Sequence, residues 1–250
     1  MAEISFLGTG SAVPSVDRDN TSILFTVDDI NILVDVSGNP SRKIKEMNKT
    51  LDEIDYILLT HFHIDHIYGL PSLLWGMWLE NRSRPLTILI NEKNEQDLES
   101  WFQTIKLAEL DINFTITIQT FNGDTSSEVI SRDNFQVRTF PAKHAVPTVG
   151  CEINFNGKTI VYSADTKINS LINEYESIDL LIHEATSAKE VVDYHSSMEG
   201  VLTSYELDKI KQVIFVHLTD DEPYEEILNE WDGKTATKIK IANDLMKVKI

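Results

Sequence analysis

A chain of 250 residues can bury a substantial core, and its ordinary share of hydrophobic (42%) and charged (25%) residues argues against intrinsic disorder. The formal net charge of −18 argues against a large nucleic acid as partner, because such binding relies on Lys and Arg at the phosphates. No apolar run approaches the ~18 residues that a membrane span requires, and the first residues lack the basic leader of a signal peptide. We therefore expect one continuous domain over residues 1–250 that does not enter a membrane.

The single cysteine, Cys151, lies in an apolar, strand-like segment and has no partner for an internal disulfide. Such cysteine usage suits a reducing compartment. We predict a buried, inert thiol and a cytoplasmic protein.

The first half of the chain is predicted to mix short strands with helices. Strands are expected over residues 4–7, 22–27, 30–35, 55–60, 86–90 and 113–119, and helices over residues 43–48, 68–79 and 94–108. The second of these helices has Pro71 near its first turn and is rich in Trp, Met and Leu, so we interpret it as buried. Either the core or a dimer interface would cover so apolar a helix.

The second half continues with a further batch of strands. These are predicted over residues 135–140, 149–155, 158–163, 179–182 and 212–216, with Asn156-Gly157 as a two-residue hairpin turn, and with helices over 197–207 and 223–231. Residues 238–241 and 246–250 are predicted to close the chain as a final pair of strands. Periodicity establishes a layered α/β protein, and the two batches of strands suggest a four-layer αββα sandwich with helices outside two facing sheets.

Four side chains of metal-ligand type occur within six residues, directly after the apolar run 55–60: His61, His63, Asp65 and His66. Imidazole nitrogen and carboxylate oxygen are the ligands that zinc and similar metals accept. A loop at the end of a buried strand can direct these side chains toward one point, so the cluster predicts a metal site.

Three more candidates follow apolar strand-like runs farther along the chain. They are His144 in FPAKHAVP, Asp165 in VYSADT and His217 in VIFVHL. Each alone would suit a capping or hydrogen-bonded role, because buried polar groups usually have structural partners. Together with the first cluster, they provide enough ligands for two coordination sets.

These segments also carry a family resemblance. The run HFHIDH resembles the HxHxDH motif of the metallo-β-lactamase superfamily, followed in order by a His, an Asp and a His. Other segments resemble the ribonuclease Z family of tRNA 3′-end processing endonucleases: FLGTGSAVPSVDRDNTSILF at 6–25, THFHIDHIYGLPSLL at 60–74, PAKH at 141–144, SADT at 163–166, and IHEAT at 182–186 with His195-Ser196 downstream. The resemblance covers the whole chain in order.

The resemblance implies the metallo-β-lactamase αββα fold and two divalent metal ions, with zinc expected and manganese or iron as alternatives. It implies a ligand set for each metal and one shared carboxylate: His61, His63 and His144 for one ion, Asp65, His66 and His217 for the other, and Asp165 as the bridge. It further implies that Glu184 and His195 form a proton-transfer pair beside the metals, whereas we expect His183 to be structural.

The sequence departs from ribonuclease Z in three places. His144 and Asp165 are only 21 positions apart, which leaves room for one hairpin but not for the long inserted arm that grips tRNA in that family. Residues 34–42 differ from the acidic, Gln-containing segment expected there, and acidic residues follow His217 where the family tends to place a basic one. Together with the net charge, these departures disfavour RNA as the substrate.

The sequence thus predicts a binuclear metal-dependent hydrolase, first of all a phosphodiesterase or ribonuclease Z-like endonuclease in which a metal-bridging hydroxide attacks phosphorus. Asp65 is expected to bind a metal and orient the water, His195 to protonate the leaving group, and Glu184 to hold the imidazole of His195. For His195, a helix-capping or surface role is the alternative.

Two other function classes stay open. The first is a metallo-hydrolase of a small ester, thioester, lactam or cyclic nucleotide on the same scaffold. The second is a metal-binding protein without turnover. Because ribonuclease Z proteins pair through the region of the apolar helix at residues 68–79, the resemblance also implies a homodimer.

Overall fold

The computed structural model describes residues 1–109, 111–231 and 237–250. Within them, the strands form two seven-stranded mixed sheets. The first sheet contains β1 (Ala2–Gly8), β2 (Ser22–Val27), β3 (Ile30–Val34), β4 (Tyr56–Leu58), β5 (Leu86–Asn91) and β6 (Ile116–Phe121). The second contains β7 (Ser127–Arg132), β8 (Phe135–Pro141), β9 (Val149–Phe155), β10 (Lys158–Tyr162), β11 (Leu180–Glu184), β12 (Val213–Val216) and β13 (Ile239–Ile241), and the last strand, β14 (Lys247–Lys249), returns to the first sheet beside β1.

Six α-helices lie within the described residues. They are α1 (Pro40–Glu46), α2 (Ile64–Ile67), α3 (Leu70–Leu79), α4 (Glu95–Thr104), α5 (Met198–Ser204) and α6 (Tyr224–Glu230). The Asn39 side chain accepts a hydrogen bond from the Arg42 amide at the start of α1, and Ser197 does the same for the Gly200 amide at the start of α5. No helix among the described residues has the length and apolar character needed to cross a bilayer.

Three separate hydrophobic cores define the layers. The largest lies between the sheets and contains, among others, Phe6, Phe25, Ile153 and Leu180. A second core packs α1, α3 and α4 against the outer face of the first sheet, and a third packs α5 and α6 against the outer face of the second. The order of layers is therefore helix, sheet, sheet, helix, which confirms the predicted αββα sandwich.

Most predicted strands are confirmed to within two residues, and the Asn156-Gly157 turn has the two positive φ angles (48° and 74°) of a type I′ hairpin. The prediction of a final strand pair is wrong. β13 pairs with β12, whereas β14 pairs with β1 in the other sheet, because residues 242–246 cross from one sheet to the other. β7 was not predicted, because half of its SEVISR sequence is exposed and it contains charged residues.

The helix predicted over residues 68–79 is only partly buried. Leu70, Leu73 and Leu74 lie in the core beneath α3, but Trp75 is 47% exposed and Leu79 is 59% exposed. The prediction of a fully buried helix is therefore wrong for one face, since that face has no cover within the described part of the chain.

Strand direction places the candidate site. β3, β4 and β5 run parallel in the first sheet, and β10, β11 and β12 run parallel in the second. Loops at the carboxyl ends of such strands are the usual place for ligand sites in α/β folds. All of the candidate metal ligands follow strands of these two sheets.

Candidate metal centre

The structure brings all seven predicted metal-ligating residues together at one edge of the two sheets. The HxHxDH residues leave β4 and enter α2, so that His61 and His66 are buried at the end of the first sheet. The remaining three come from the second sheet, where His144 follows β8, Asp165 follows β10 and His217 follows β12. The site thus lies where both sheets meet.

One group of donors consists of three imidazole nitrogens. His61 Nε2 lies 3.1 Å from His63 Nδ1, and His144 Nε2 lies 3.1 Å from the same atom. Burial lowers the pKa of His61 well below its ordinary value and also lowers the pKa of His63 and His144, so these rings favour the neutral form. A neutral imidazole offers the lone pair that a metal ion needs.

The second group combines a carboxylate with two imidazoles. Asp65 Oδ2 lies 3.4 Å from His66 Nε2 and 3.6 Å from His217 Nε2. Burial alone would raise the pKa of Asp65, but His217 and His66 outweigh it and hold this pKa well below its usual range. The Asp65 carboxylate is therefore ionised at neutral pH.

Asp165 lies between the two groups. Its Oδ2 atom is 3.2 Å from His217 Nε2, 3.3 Å from His66 Nε2 and 3.9 Å from His61 Nε2. Burial would raise the pKa of Asp165, yet His217 and His66 hold it well below its usual range. One carboxylate thus contacts donors of both groups, which is the position that a bridging ligand requires.

The donor atoms fit a cation because they are buried without other partners. Asp165 Oδ1, His66 Nε2 and His217 Nε2 have no hydrogen-bond partner among the described residues. A buried polar atom without a partner is costly, and a divalent ion would satisfy these atoms together. Nitrogen and carboxylate oxygen are also the donor types that zinc, manganese and iron accept.

In four of the candidate ligand histidines, a contact of Nδ1 with a neighbouring oxygen fixes which ring nitrogen faces the site. The Nδ1 atoms of His66, His144 and His217 contact Asp35 Oδ2 (2.7 Å), the Tyr194 carbonyl (2.9 Å) and Thr186 Oγ1 (3.0 Å), respectively. His61 Nδ1 lies 3.0 Å from Thr60 Oγ1. Because the Thr60 hydroxyl donates to Asp35 and that of Thr186 donates to Glu184, we assign the Nδ1 proton to each of these four histidines. Their Nε2 lone pairs then all face the site.

Asp35 is a site residue that the sequence analysis did not identify. Its carboxylate contacts His66 directly and accepts hydrogen bonds from the Thr60 amide and hydroxyl, so it also orients His61 through Thr60. Asp35 directly follows β3, which is the same pattern that identified the other ligands, but residues 34–42 were interpreted only as a departure from ribonuclease Z. Burial raises the pKa of Asp35 despite the opposing effect of His66.

Replacement of Asp35 by asparagine is expected to weaken metal binding about 10- to 100-fold, the usual effect of removing an outer partner of a ligating histidine. The amide cannot accept from both His66 and the Thr60 amide, because one of its two polar atoms is a donor. Metal affinity, measured by competition with a chromogenic chelator, tests this expectation. Asp29→Asn makes the same change at an exposed turn and serves as the control. Equal affinities of Asp35→Asn and wild type would contradict this role.

Left-handed backbone conformations mark the site. Asp35 (φ 59°), Ala164 (φ 50°), Tyr194 (φ 65°) and His217 (φ 56°) all have positive φ angles, which are uncommon for residues other than glycine. Each is a site residue or directly precedes one. Such conformations persist where surrounding contacts enforce them, and they cluster at functional sites.

Glu184 and His195 form the predicted pair beside the metal ligands. His195 Nδ1 lies 2.9 Å from Glu184 Oε1, and the Glu184 carboxylate also accepts hydrogen bonds from the amides of Thr166, Thr186 and Ser196. Burial disfavours the charged form of His195, but Glu184 outweighs it and raises the pKa of His195. The Glu184 carboxylate therefore favours the protonated form of the His195 imidazole.

His183, in contrast, is fully buried and points away from the metal ligands. Its Nδ1 lies 2.7 Å from the Glu184 carbonyl and its Nε2 lies 3.0 Å from the Tyr205 hydroxyl. Both ring nitrogens thus have protein partners, as the sequence analysis expected of a structural residue.

A cavity of about 340 Å³ is lined by His217, one of the candidate metal ligands, and by His195. Its walls are the loop of residues 11–15 on one side and Thr186, His195, His217, Thr219 and Asp220 on the other. No Lys or Arg is among the described residues that line it. A phosphate in this cavity would therefore depend on the metal ions and on His195 for positive charge.

Comparisons with known proteins agree with the fold. The family model described as "Anti-Pycsar protein Apyc1" matches residues 2–237. Ribonuclease Z of Methanococcus maripaludis is 27% identical over 308 aligned positions, which cover 98% of each chain. Among solved structures, human tRNase Z, short form, has a TM-score of 0.80 at 22% identity, with 99% of each chain covered. A diphosphatase from the PhnP family has a TM-score of 0.77 at 20% identity, covering 100% of this chain and 98% of the other. These structural matches confirm the metallo-β-lactamase fold.

Proposed function

The chain belongs to the family of the anti-Pycsar protein Apyc1, and from this premise we propose that it is a binuclear metal-dependent phosphodiesterase that hydrolyses small phosphodiesters. It is an enzyme, a hydrolase of the phosphodiesterase or ribonuclease Z type. One observation carries the proposal: Asp165 lies within 3.9 Å of nitrogens from both groups of donors, next to the pair formed by the buried Glu184 and the partly buried His195. The metal ions are expected to be zinc, with manganese or iron as alternatives.

Each residue at the site has a defined task in this reaction. When bound, the two metal ions activate water for attack at neutral pH and offset the charge of the phosphate. Asp65, which lies in the first turn of α2, would hold one ion and orient the attacking water. His195 donates the proton of its Nε2 to the leaving oxygen, while Glu184 holds its Nδ1. Asp165 fixes the distance between the two donor groups.

Charge and cavity size favour small substrates. The chain carries a net charge of −18, and no cation lines the described walls of the 340 Å³ cavity. A long RNA would therefore find little of the positive surface on which its binding depends. A diester with one phosphate needs only the metal ions and His195 as partners. Small diesters, cyclic nucleotides among them, are the substrate class that we propose.

An RNase Z-like endonuclease is the second candidate. Curated ribonuclease Z sequences match 98% of this chain, although only at 27% identity. The interval between His144 and Asp165 contains the β9–β10 hairpin, where an arm that grips tRNA was predicted to be missing. Cleavage of a tRNA precursor would require other residues to bind the RNA.

A substrate panel tests the proposal. The protein loaded with Zn²⁺ or Mn²⁺ is incubated with bis(p-nitrophenyl) phosphate, cyclic mononucleotides, a short RNA and a tRNA precursor, and with an ester and a thioester as non-phosphate substrates. The proposal predicts hydrolysis of the small diesters and no cleavage of the precursor. Cleavage of the precursor at its 3′ side would favour the second candidate, and turnover of the ester or thioester alone would refute both.

We also propose a homodimer that covers the exposed face of α3. Trp75 and Leu79 of α3 are 47% and 59% exposed, and exposed apolar groups of this size often mark an interface. We further propose that residues 1–250 act as one hydrolase domain, because β1 and β14 join the two ends of the chain. The lone Cys151 is buried, and this cysteine usage supports a reducing, cytoplasmic setting.

Replacement of Trp75 by aspartate is expected to shift the protein from dimer to monomer, because the change places a charge at the centre of the proposed interface. Size exclusion with light scattering measures the mass. Val191→Asp, which introduces the same charge at an 87% exposed apolar residue outside α3, is the control and should stay dimeric. A monomeric wild type would refute the dimer.

A further inference from the structure

The segment that crosses between the sheets, residues 242–246, carries a buried carboxylate. The side chain of Asp244 is 8% exposed, and it accepts hydrogen bonds from Thr9 Oγ1 (2.8 Å), the Asp19 amide (2.9 Å) and Lys43 Nζ (2.8 Å). We propose that Asp244 is a positioning residue that fixes the loop of residues 9–19 and, through it, one wall of the substrate cavity. This inference rests on the proposed function of that cavity.

The contacts of Asp244 belong to a network with balanced charge. Lys43 Nζ also lies 3.1 Å from Asp19 Oδ2. Arg18 Nη1 donates to Thr9 Oγ1 (2.6 Å) and to the Ala242 carbonyl. Lys43 therefore contacts two carboxylates, and together these contacts join the loop of residues 9–19, α1 and the crossing segment. Removal of one member leaves a buried charge without its partner, so the network acts as a unit.

The network extends to the cavity through the backbone. The amides of Thr9 and Gly10 donate to the Asp19 carbonyl at 3.0 and 2.8 Å, which closes the base of the loop. The Ser11 amide donates to the Leu218 carbonyl (2.9 Å), and the Leu218 amide donates to the Thr9 carbonyl (3.0 Å). The loop base is thus tied to the end of β12, and residues 11–15, which follow it directly, line the cavity.

This network is not needed merely to attach the C-terminal segment to the rest of the protein. β14 is already joined to β1 by backbone pairing at Glu3, Ile4 and Ser5. A partly buried group of four charged side chains adds little net stability, because the cost of desolvation offsets the attraction between the charges. Its clearest effect is on geometry. The Asp244 carboxylate can accept hydrogen bonds from Thr9 and Asp19 only when the loop and the crossing segment are held in one relative position. Asp244 also lies beyond residue 237, where the family match ends.

The test compares Asp244→Ala and Asp244→Asn with Lys249→Ala, a change at a 68% exposed side chain on the same terminal segment. Metal content, KM and kcat for bis(p-nitrophenyl) phosphate, and amide hydrogen exchange of residues 9–16 are measured well below the melting temperature. For Asp244→Ala we expect a rise in KM of about tenfold, a change in kcat below about threefold, unchanged metal content and faster exchange at Ser11. Asp244→Asn should fall between Asp244→Ala and wild type, because it keeps one acceptor for the Asp19 amide. Lys249→Ala should match wild type.

Unchanged exchange at residues 9–16 in Asp244→Ala would overturn the proposal, as would loss of metal in proportion to loss of activity. If the alanine variant does not fold, the same measurements on Asp244→Asn decide. A wild type that does not hydrolyse the diester would refute the proposed function, and the exchange data would still decide whether Asp244 fixes the loop.

Discussion

Replacement of Asp165 by asparagine is expected to lower kcat/KM for bis(p-nitrophenyl) phosphate by at least about 10³-fold and to lower the metal content of the protein. The Asp165 carboxylate lies within 3.9 Å of nitrogens from both donor groups. An amide at this position has one donor and one acceptor and carries no charge, so it cannot bridge two cations. Steady-state kinetics together with elemental analysis of the purified variant provide the measurement.

Asp208→Asn makes the same chemical change at an exposed residue remote from the site and should leave both quantities unchanged. Thermal melts of the two variants, recorded with and without added metal, show whether the Asp165 variant is folded. Full metal content together with activity within about tenfold of wild type would show that Asp165 does not bridge the metals.

Replacement of His195 by alanine is expected to reduce turnover according to the leaving group. General acid catalysis contributes about 10²- to 10⁴-fold when a poor leaving group needs a proton. For a diester with a ribose alkoxide as leaving group, we therefore expect a loss of about 10²- to 10³-fold. Nitrophenolate leaves without a proton, so the loss for bis(p-nitrophenyl) phosphate should stay within about tenfold. Metal content should be unchanged, because His195 Nδ1 is engaged by Glu184.

The pH profile gives a second measure of the same role. The Glu184 carboxylate outweighs burial and raises the pKa of His195 above its ordinary value, so the imidazole keeps its proton to higher pH. Since the protonated form is the active acid, kcat for the ribose diester should be high below this raised pKa and fall as the pH rises through it. His195→Ala should lose this alkaline limb.

Tyr194→Phe is the control for the His195 variant. It alters the neighbouring side chain but keeps the carbonyl that contacts His144, so its profile should follow that of wild type. Equal losses for the two leaving groups in His195→Ala would rule out proton donation by His195 and favour a structural role.

The convergence of the candidate metal ligands was predictable, because these residues follow apolar strands. His144, Asp165 and His217 directly follow apolar runs, and the ends of such runs converge at one edge of a sheet. The grouping of ligands by metal and the roles of Glu184 and His195 came from the resemblance, since nothing in the spacing alone brings residue 184 next to residue 195. The distances in the structure agree with this grouping and with these two roles, and the assignment of ligands to metals stays a prediction.

Other features depend on contacts that no local pattern reveals. The Thr9–Asp244 hydrogen bond joins residues 235 positions apart, and the partner of His144 Nδ1 is a backbone carbonyl. Alternation predicts that β13 and β14 are strands, but it does not predict that they join different sheets. Asp35 ends the strand predicted over residues 30–35, so the rule for the other site residues applies to it, but the sequence alone did not single it out as a site residue.

The central claim is that two metal ions, held by His61, His63, Asp65, His66, His144, Asp165 and His217, carry phosphodiester hydrolysis. The most direct test is to titrate metal-free protein with Zn²⁺, and in parallel with Mn²⁺, while following the hydrolysis of bis(p-nitrophenyl) phosphate. We expect activity that saturates at two ions per chain. Activity that saturates at one ion, or that does not depend on metal, would contradict it.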